Sequence, residues 1–416
     1  MVKVASCFAQ VLSLVDRNRF ELAVRRHGAQ RGAKGFNCWD QFVAMLFCQM
    51  GAAHSLREIC GGLATAMGKL VHLGLRQAPA RSTLAYANGH RPWQLYQTVF
   101  GDLLTQCRQV AATKRRRFRF KNPLRSLDAT VIDLCLKVFD WARFRRTKGA
   151  IKLHLQLDHR GCLPCWALVT DGKVHEVRAA RSLSFEPGTI VAMDRAYTDF
   201  SLFARWTQAG VLFVTRAKDN LVYEVLDRLS VPQRGPVLLD ERIWLVGPRS
   251  EAKCPHMLRR IVVWDEEGGR QIVLLTNIQH FAATTVAAIY KERWQIELFF
   301  KALKQYLKVK TFVGTSENAV KTQIWTALIA MLLLKYLLLK STWAWSLSNL
   351  AAMLRFNLLT YRDLWAWLDA PFAVPALVPG LRQTALFCAG VGQHQRATST
   401  TTGATTHPKR PSEALT

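Results

Sequence analysis

A carboxylate lies between two cations and a tyrosine in a helix-like stretch near residue 300. Residues 290–304 read YKERWQIELFFKALK. At about 100° per residue, four polar side chains of this stretch fall within an arc of about 60°. They are Tyr290, Arg293, Glu297 and Lys304. An apolar stripe adjoins the arc and is predicted to pack on a core. By itself, the i, i+4 spacing of Arg293 and Glu297 suits a structural ion pair equally well.

Two aspartates in apolar strand-like segments favour a chemical role for this face. Asp128 lies within SLDATV, and Asp194 ends the run IVAMD. A lone carboxylate in such a segment is unfavourable unless its charge is compensated. Two strand acids and Glu297 can converge as oxygen ligands for divalent cations, and paired ions of this kind support in-line phosphoryl displacement. We therefore predict that these three acids are the catalytic and metal-binding residues of a phosphodiester-processing enzyme.

The charge balance indicates a polyanionic partner. The 416 residues include 57 Lys and Arg against 29 Asp and Glu, a net charge of +28. Nucleic acid is the leading candidate for such a partner. The densest basic run, KRRRFRFK at residues 114–121, is predicted to contact phosphates, although a solvated linker is the alternative. Its arginines are Arg115, Arg116, Arg117 and Arg119.

Other classes of protein fit the sequence less well. The longest apolar run, residues 324–339, is interrupted by Lys335 and is shorter than the roughly 20 residues of a membrane span. We expect a buried helix there and no membrane partner. Cys162 and Cys165 have no second pair at zinc-finger spacing, so they are expected to flank a turn. Scattered cysteines and a start without an apolar leader predict a cytoplasmic, DNA-associated protein.

Residues 1–112 have helical periodicity throughout. A helix over residues 55–64, followed by one capped by Ser82 or Thr83, has the outline of a helix-turn-helix. In that arrangement three polar residues would face a DNA groove. They are Arg81, Asn88 and Arg91. An ordinary helical bundle with a polar face is an equally good interpretation.

The remaining pattern predicts an α/β fold with an insertion. Strand and helix patterns alternate after residue 125, which suits a sheet flanked by helices. The expected layout is a helical domain over 1–112, a basic linker over 113–124, a first core part over 125–218, a β-rich insertion over 219–280, a second core part with C-terminal helices over 281–395, and a disordered tail over 396–416.

The polar face near residue 300 resembles a known family. The spacing Tyr290-x2-Arg293-x3-Glu297-x6-Lys304 resembles the Tyr-Arg-Glu-Lys (YREK) signature of DDE insertion-sequence transposases. SLDAT around Asp128 is similar to the family's first-aspartate strand, and DRAYTDF from Asp194 is similar to its second-aspartate motif. That motif more often has Gly where this chain has Ala196. The resemblance covers about residues 120 to 340.

The resemblance implies a fold and a site. It implies an RNase H-like catalytic core with a β-rich insertion, preceded by an all-helical DNA-binding domain. Asp128, Asp194 and Glu297 would hold Mg2+, for which Mn2+ can substitute. Tyr290 and Arg293 would contact phosphates beside a displaced base, and Lys304 would contact the terminal DNA backbone.

It also implies an activity. A transposase of a bacterial insertion sequence binds terminal inverted repeats, cuts DNA and transfers a strand into target DNA, and it works as a homodimer in a synaptic complex. Two alternatives stay open: a metal-dependent nuclease without strand transfer, and a catalytically decayed repressor of transposition. Trp294 is expected in the core, and Trp244 or Trp264 could assist base displacement.

Overall fold

The computed structural model describes residues 5–66, 68–115, 117–142, 149–247, 250–307 and 311–373. Arg116 of the basic run and the tail expected over 396–416 lie outside these residues. Thirteen α-helices and nine strands make up the described chain.

The strands form one mixed sheet. They are β1 Leu124–Leu134, β2 Gly149–Asp158, β3 Leu163–Asp171, β4 Ile190–Met193, β5 Leu212–Arg216, β6 Tyr223–Arg228, β7 Val237–Leu245, β8 Leu258–Asp265 and β9 Arg270–Thr276. The order across the sheet is β3-β2-β1-β4-β5-β9-β8-β7-β6. The pairs β1–β4 and β4–β5 are parallel, and the other neighbours are antiparallel. A mixed α/β fold with a large sheet is therefore confirmed.

The helices precede, interrupt and follow the strands. They are α1 Cys7–Leu12, α2 Arg17–Arg26, α3 Cys38–Met50, α4 Leu56–Ala64, α5 Arg81–His90, α6 Gln94–Ala112, α7 Glu176–Arg181, α8 Phe200–Gln208, α9 Ala283–Glu292, α10 Trp294–Tyr306, α11 Glu317–Lys340, α12 Leu347–Phe356 and α13 Leu364–Asp369. Polar N-caps start several of them, as the side chain of Asn37 does for α3 in a capping box.

Strand β2, next to the edge strand β3, is buried on both faces. Its sequence alternates apolar and polar residues, a pattern typical of a strand with one solvent-facing side. All ten of its residues are nevertheless buried. Lys152 is accommodated because its Nζ lies 2.8 Å from Glu176 Oε1 and donates to Val174 O at 2.9 Å. A paired cation can therefore occupy a position that the pattern assigns to solvent.

The described part of residues 55–91 does not contain the compact helix-turn-helix expected there. Sixteen residues, 65–80, separate α4 from α5, whereas a compact helix-turn-helix has a turn of about three or four residues. The N-cap of α5 is Ala80, with no side-chain hydrogen bond, so the expectation that Ser82 or Thr83 caps this helix is wrong.

Two of the three polar residues expected to face a groove are structural. Asn88 is buried, and Gln41 Nε2 donates to its Oδ1 at 2.9 Å. Arg91 Nη1 donates to Asn37 O at 2.7 Å. Arg81 alone of the three is exposed. The interior accepts Asn88 and Arg91 because each finds partners on or beside α3.

Helix α11 is a core helix. It has the length and hydropathy of a membrane span, but 78% of its most apolar window is buried within the protein. It packs on α3, α5 and α6, and its apolar residues share one core with those of the first helices and of β1 to β3. The expected buried helix is confirmed, and residues 7–112 lack a separate core of their own.

The helix expected over 283–307 is interrupted at one residue. Arg293 separates α9 from α10, although its φ of −51° and ψ of −32° are helical. Its N–H bonds to Tyr290 O, and Ile296 N–H bonds to Arg293 O, both at 3.1 Å. These i to i+3 bonds tighten the turn there. As a result, Glu292 and Arg293 reach different surroundings.

A buried ion pair fastens the inserted strands to the segment that leads into α9. Arg259 on β8 makes two hydrogen bonds to Asp240 on β7, with distances of 2.7 and 2.6 Å. The same guanidinium donates to Phe281 O at 2.6 Å. Both charged side chains are almost fully buried, so the pair compensates charges that water does not reach.

Replacement of Asp240 by Ala should lower the free energy of unfolding by about 3 to 5 kcal/mol, because Arg259 would be left buried without its counter-charge. Urea unfolding followed by circular dichroism measures the change. Asp227→Ala is the control, since its pair with Arg242 is exposed and should contribute less than about 1 kcal/mol. Equal losses in the two variants would contradict the role given to the buried pair.

Candidate active site

The sheet register brings two of the predicted acids together. In the parallel pair β1–β4, Leu127 lies beside Met193. The next residues along the two chains are Asp128 and Asp194. Neighbouring strands are about 4.8 Å apart, so the two acids follow the last paired residues side by side. The middle of β1 and the end of β4 thus place both carboxylates at one point of the sheet.

Arg293 joins the third acid to the first. Its Nη1 lies 3.4 Å from Asp128 Oδ2, and its Nη2 lies 2.5 Å from Glu297 Oε1. The arginine side chain is only 13% exposed. It sits at the interruption between α9 and α10, and α10 packs on β1. A single guanidinium therefore holds a strand acid and a helix acid at the same site.

The electrostatics of Asp128 show that the acids influence one another. The pKa of Asp128 is raised from its ordinary 3.8 to about 6, chiefly by burial, and Glu297 and Asp194 also act to raise it. The backbone N–H of Ala129 and the Arg293 guanidinium act in the opposite direction. Burial alone would lower the pKa of Arg293, but Tyr290, Asp128 and Glu297 raise it. The site holds more negative charge than its one close cation balances.

The other two residues of the polar face lie beside this site. The Arg293 guanidinium is 5.6 Å from the centre of the Tyr290 ring. Burial raises the pKa of Tyr290, with opposing influences from Arg293 and Asp194. Lys304 Nζ donates to Val131 O on β1 at 3.1 Å. The structure thus brings together the six residues predicted from the strands and the helix face.

Two neighbours of the site escaped the sequence analysis. Tyr197 is fully buried, and burial together with Asp128 raises the pKa of its hydroxyl. Arg216 ends β5, the parallel neighbour of β4, and influences the pKa of Tyr290. Because parallel strands end at the same edge of a sheet, the position of Arg216 at a strand end was a usable signal.

Trp294 does not lie in the core. It is 55% exposed, and Leu298, one helical turn further on, is exposed as well. The expectation for Trp294 is wrong because α10 buries its opposite side, where Ile296 and Phe300 lie. An aromatic side chain directly after Arg293 is therefore accessible.

The basic run divides into exposed cations and partly buried rings. Arg115, Arg117 and Arg119 are exposed. Phe118 stacks on Phe120 with ring centres 4.8 Å apart, and Phe120 stacks on Phe281. The rings anchor the run to the protein and do not face solvent as stacking platforms.

Two family models match different parts of the chain. Residues 119–333 match the Transposase DDE domain family, which is more than half of the sequence. The chain belongs to the DDE transposase family. Residues 4–76 match a second family, described as a domain of unknown function. The DDE match contains β1, β4 and α10 and so includes all three acids.

Two relatives of this DDE transposase are themselves named as transposases. A protein of Sinorhizobium fredii, "Putative transposase y4zB", is 32% identical over 261 residues, which are 62% of this chain and 71% of that protein. "Probable transposase for insertion sequence element IS5377" of Geobacillus stearothermophilus is 31% identical over 62% of this chain and 67% of that protein. The protein is therefore a transposase of the insertion-sequence type.

A solved structure also gives a match. The cryo-EM structure of the piggyBac transposase synaptic complex with hairpin DNA has a TM-score of 0.41 and 10% identity, covering 90% of this chain and 86% of that chain. At this TM-score the likeness carries no argument.

The acid site of the transposase fits a divalent cation in its chemistry. Carboxylate oxygens are the donors that Mg2+ and Mn2+ prefer, and Asp128 and Glu297 both present such oxygens to the one guanidinium. No group of three His, Cys, Asp or Glu among the described residues is already spaced to hold an ion. The Arg293 guanidinium lies between two of the acids, so ion binding would have to loosen that bridge.

Replacement of Asp128 by Asn should make the protein more stable relative to wild type as the pH rises. The folded carboxyl, with a pKa near 6, contributes stability that is fully present below pH 3.8 and is lost as the pH rises through about 6. The amide does not ionise. The free energy of unfolding of the variant minus that of wild type should therefore increase by up to about 3 kcal/mol from pH 4 to 7.5.

Urea unfolding in EDTA at several pH values measures this difference. Thr130→Ser, two residues further along β1, removes no ionising group and serves as the control. A difference that does not depend on pH would show that Asp128 is not a high-pKa carboxyl.

Proposed function

We propose that this transposase binds the terminal inverted repeats of an insertion sequence, cuts the DNA there and transfers a strand into target DNA. The single observation that carries the proposal is the Arg293 bridge, which gathers Asp128 and Glu297 beside Asp194. Phosphodiester cleavage needs concentrated carboxylates to hold cations, whereas a decayed site has no need to keep a buried charge cluster.

Two features support an RNase H-like core with a YREK signature. The order β3-β2-β1-β4-β5, with β1, β4 and β5 parallel, suits such a core. Strands β6 to β9 occupy the interval between Asp194 and Glu297, where the insertion was expected. Arg293 contacts both Glu297 and the ring of Tyr290, which supports the proposed signature.

Each residue of the site then has a defined task. Asp128, Asp194 and Glu297 would hold Mg2+ or Mn2+, since DDE transposase domains depend on such metals. When bound, the ions activate water or a 3′-hydroxyl and stabilise the leaving oxygen. Tyr290 and Arg293 would position a phosphate next to the acids, and Lys304 would bind the backbone further along the DNA.

The rest of the chain would bring DNA to this site. We assign DNA binding to the helices of residues 1–112 and phosphate contacts to the linker 113–124, which includes Arg115, Arg117 and Arg119. A homodimer that holds two element ends would complete the synaptic complex. The exposed Trp294 joins Trp244 and Trp264 as a candidate for assisting a displaced base.

Alanine at any of the three acids should abolish metal-dependent cutting and leave the affinity for DNA ends nearly unchanged, because the acids would hold ions and would not hold DNA itself. The assay incubates the purified protein with a library of linear ends that includes the DNA flanking its own gene, in Mg2+ or in EDTA, and sequences the products.

Asp133→Ala is the matched control, since Asp133 is an exposed acid on the same strand. Retained cutting in Asp128→Ala, Asp194→Ala or Glu297→Ala would refute the catalytic assignment. Cutting without joined products would favour the nuclease alternative, and binding without any cut in the presence of metal would favour the repressor.

The Arg293 bridge makes a separate prediction about metal affinity. Without DNA, the guanidinium competes with a cation for the oxygens of Asp128 and Glu297. Arg293→Gln should therefore bind Mn2+ more tightly, by about tenfold for a competing contact of about 1.4 kcal/mol. Electron paramagnetic resonance of free Mn2+ measures the affinity without requiring activity.

Arg270→Gln is the control, because Arg270 pairs with Asp265 on the inserted strands. Weaker Mn2+ binding by Arg293→Gln would mean that the arginine organises the acids for the ion and does not compete with it.

A further inference from the structure

A cavity of about 840 Å³ lies at the other end of the strands that carry the acids. Its wall includes Leu124, where β1 begins, and Thr189, directly before β4. Asp128 and Asp194 lie further along these same strands. At about 3.3 Å per residue, the four residues of β4 separate the two places by about 13 Å. The cavity is therefore distinct from the acid site.

Cations from separate segments converge on this cavity. Seven Arg and Lys side chains and three carboxylates belong to the part of its wall that the structure describes. Arg108 comes from α6, Arg115 and Arg117 from the linker, Arg125 from β1, and Arg160 from the turn after β2. A concave surface concentrates the field of charges of one sign. The ligand that suits it is anionic.

Two of the three carboxylates of the wall form ion pairs with these cations. Asp158 pairs with Arg125. Glu292 is only 7% exposed, and its Oε1 lies 2.8 Å from Nη1 of Arg117, whose side chain is largely exposed. A buried carboxylate thus occupies an anion position at the edge of a basic cavity and holds a cation of the linker there.

A buried histidine in the same wall lacks a partner on one nitrogen. His159 Nε2 lies 2.7 Å from Ser126 Oγ, whereas its Nδ1 is buried without a hydrogen bond. The side chain is 9% exposed, and Glu292 Oε2, at 3.9 Å, is too far for a hydrogen bond. If the Ser126 hydroxyl donates to Nε2, Nδ1 carries a proton that needs an acceptor. An anionic oxygen in the cavity would satisfy it.

We propose that this cavity binds the phosphodiester backbone of one DNA strand outside the active site, and that Glu292 holds Arg117 there when DNA is absent. The inference rests on the proposed function as a DNA-processing enzyme. The volume suits a short stretch of one backbone and not the width of a duplex. Phe118 and Phe120 also line the cavity but stack on each other, so the groups left to bind a ligand are the cations, which recognise phosphates.

Glu292→Gln is the sharpest test, since a structural role and the proposed role predict opposite results. Loss of this negative charge releases Arg117 and should tighten DNA binding about fivefold, with a salt slope steeper by about one. The probe is a fluorescein-labelled duplex with a single-stranded extension, bound by the full chain in EDTA over a series of salt concentrations, with anisotropy as the readout.

The double variant Arg115→Gln, Arg117→Gln should weaken binding and reduce the salt slope by about two. Its matched control is Arg228→Gln, Arg270→Gln, which removes two exposed cations of the inserted strands and should leave the slope unchanged. Circular dichroism confirms that each variant is folded. If Glu292→Gln fails to fold, the double variant of Arg115 and Arg117 tests the proposal, because both of these side chains are exposed and their replacement should not disturb folding.

The outcomes separate this inference from the proposed function. If wild type binds and cuts DNA but neither variant changes the affinity or the slope, the cavity inference fails and the proposed function stands. Weaker binding by folded Glu292→Gln overturns the inference as well. If wild type neither binds nor cuts DNA, both proposals fail.

Discussion

The fold depends on compensating three carboxylates that two strands and a helix bring to one place. Asp128 and Asp194 follow the last paired residues of parallel strands, and no local partner neutralises both of them. Arg293 supplies the closest positive charge and reaches Asp128 and Glu297 together. This requirement explains why α10 must lie on β1 and why the helix is interrupted at the residue that carries the guanidinium. A buried negative cluster without a nearby cation would be too costly to fold.

The sequence predicts this site well because its residues obey local rules. An acid within an apolar strand and a polar helix face are visible in the order of residues alone, and the sheet register then determines their meeting. The surroundings are less predictable. Trp294 and Ile296 are close along the chain, but only the packing of α10 decides which one reaches solvent. Asn88 and Arg91 look like surface residues in the sequence, but α3 provides their partners. The helix interruption at Arg293 was not predictable because no proline or glycine marks it in the sequence.

The fold brings together positive charges that are far apart in the sequence. The basic run is obvious in the sequence, whereas Arg108, Arg125 and Arg160 are isolated there and meet the run at the cavity. Glu292 and Arg293, adjacent in the chain, belong to two different electrostatic environments, one basic and one acidic. A single peptide bond therefore separates the two environments.

Helix α11 has a consequence for how such proteins can diversify. It follows Glu297 in the chain, yet it completes the core in which the first six helices are buried. The amino-terminal region therefore cannot be exchanged as a detachable cassette by cutting the chain at the basic linker, because its apolar faces would lose their covering. Under the proposed function, a change in the DNA ends that are bound would have to arise by substitution at exposed positions such as Arg81 or by joint replacement of the first helices and α11. The order of folding is constrained in the same way, since the first helices emerge from the ribosome long before the helix that covers them.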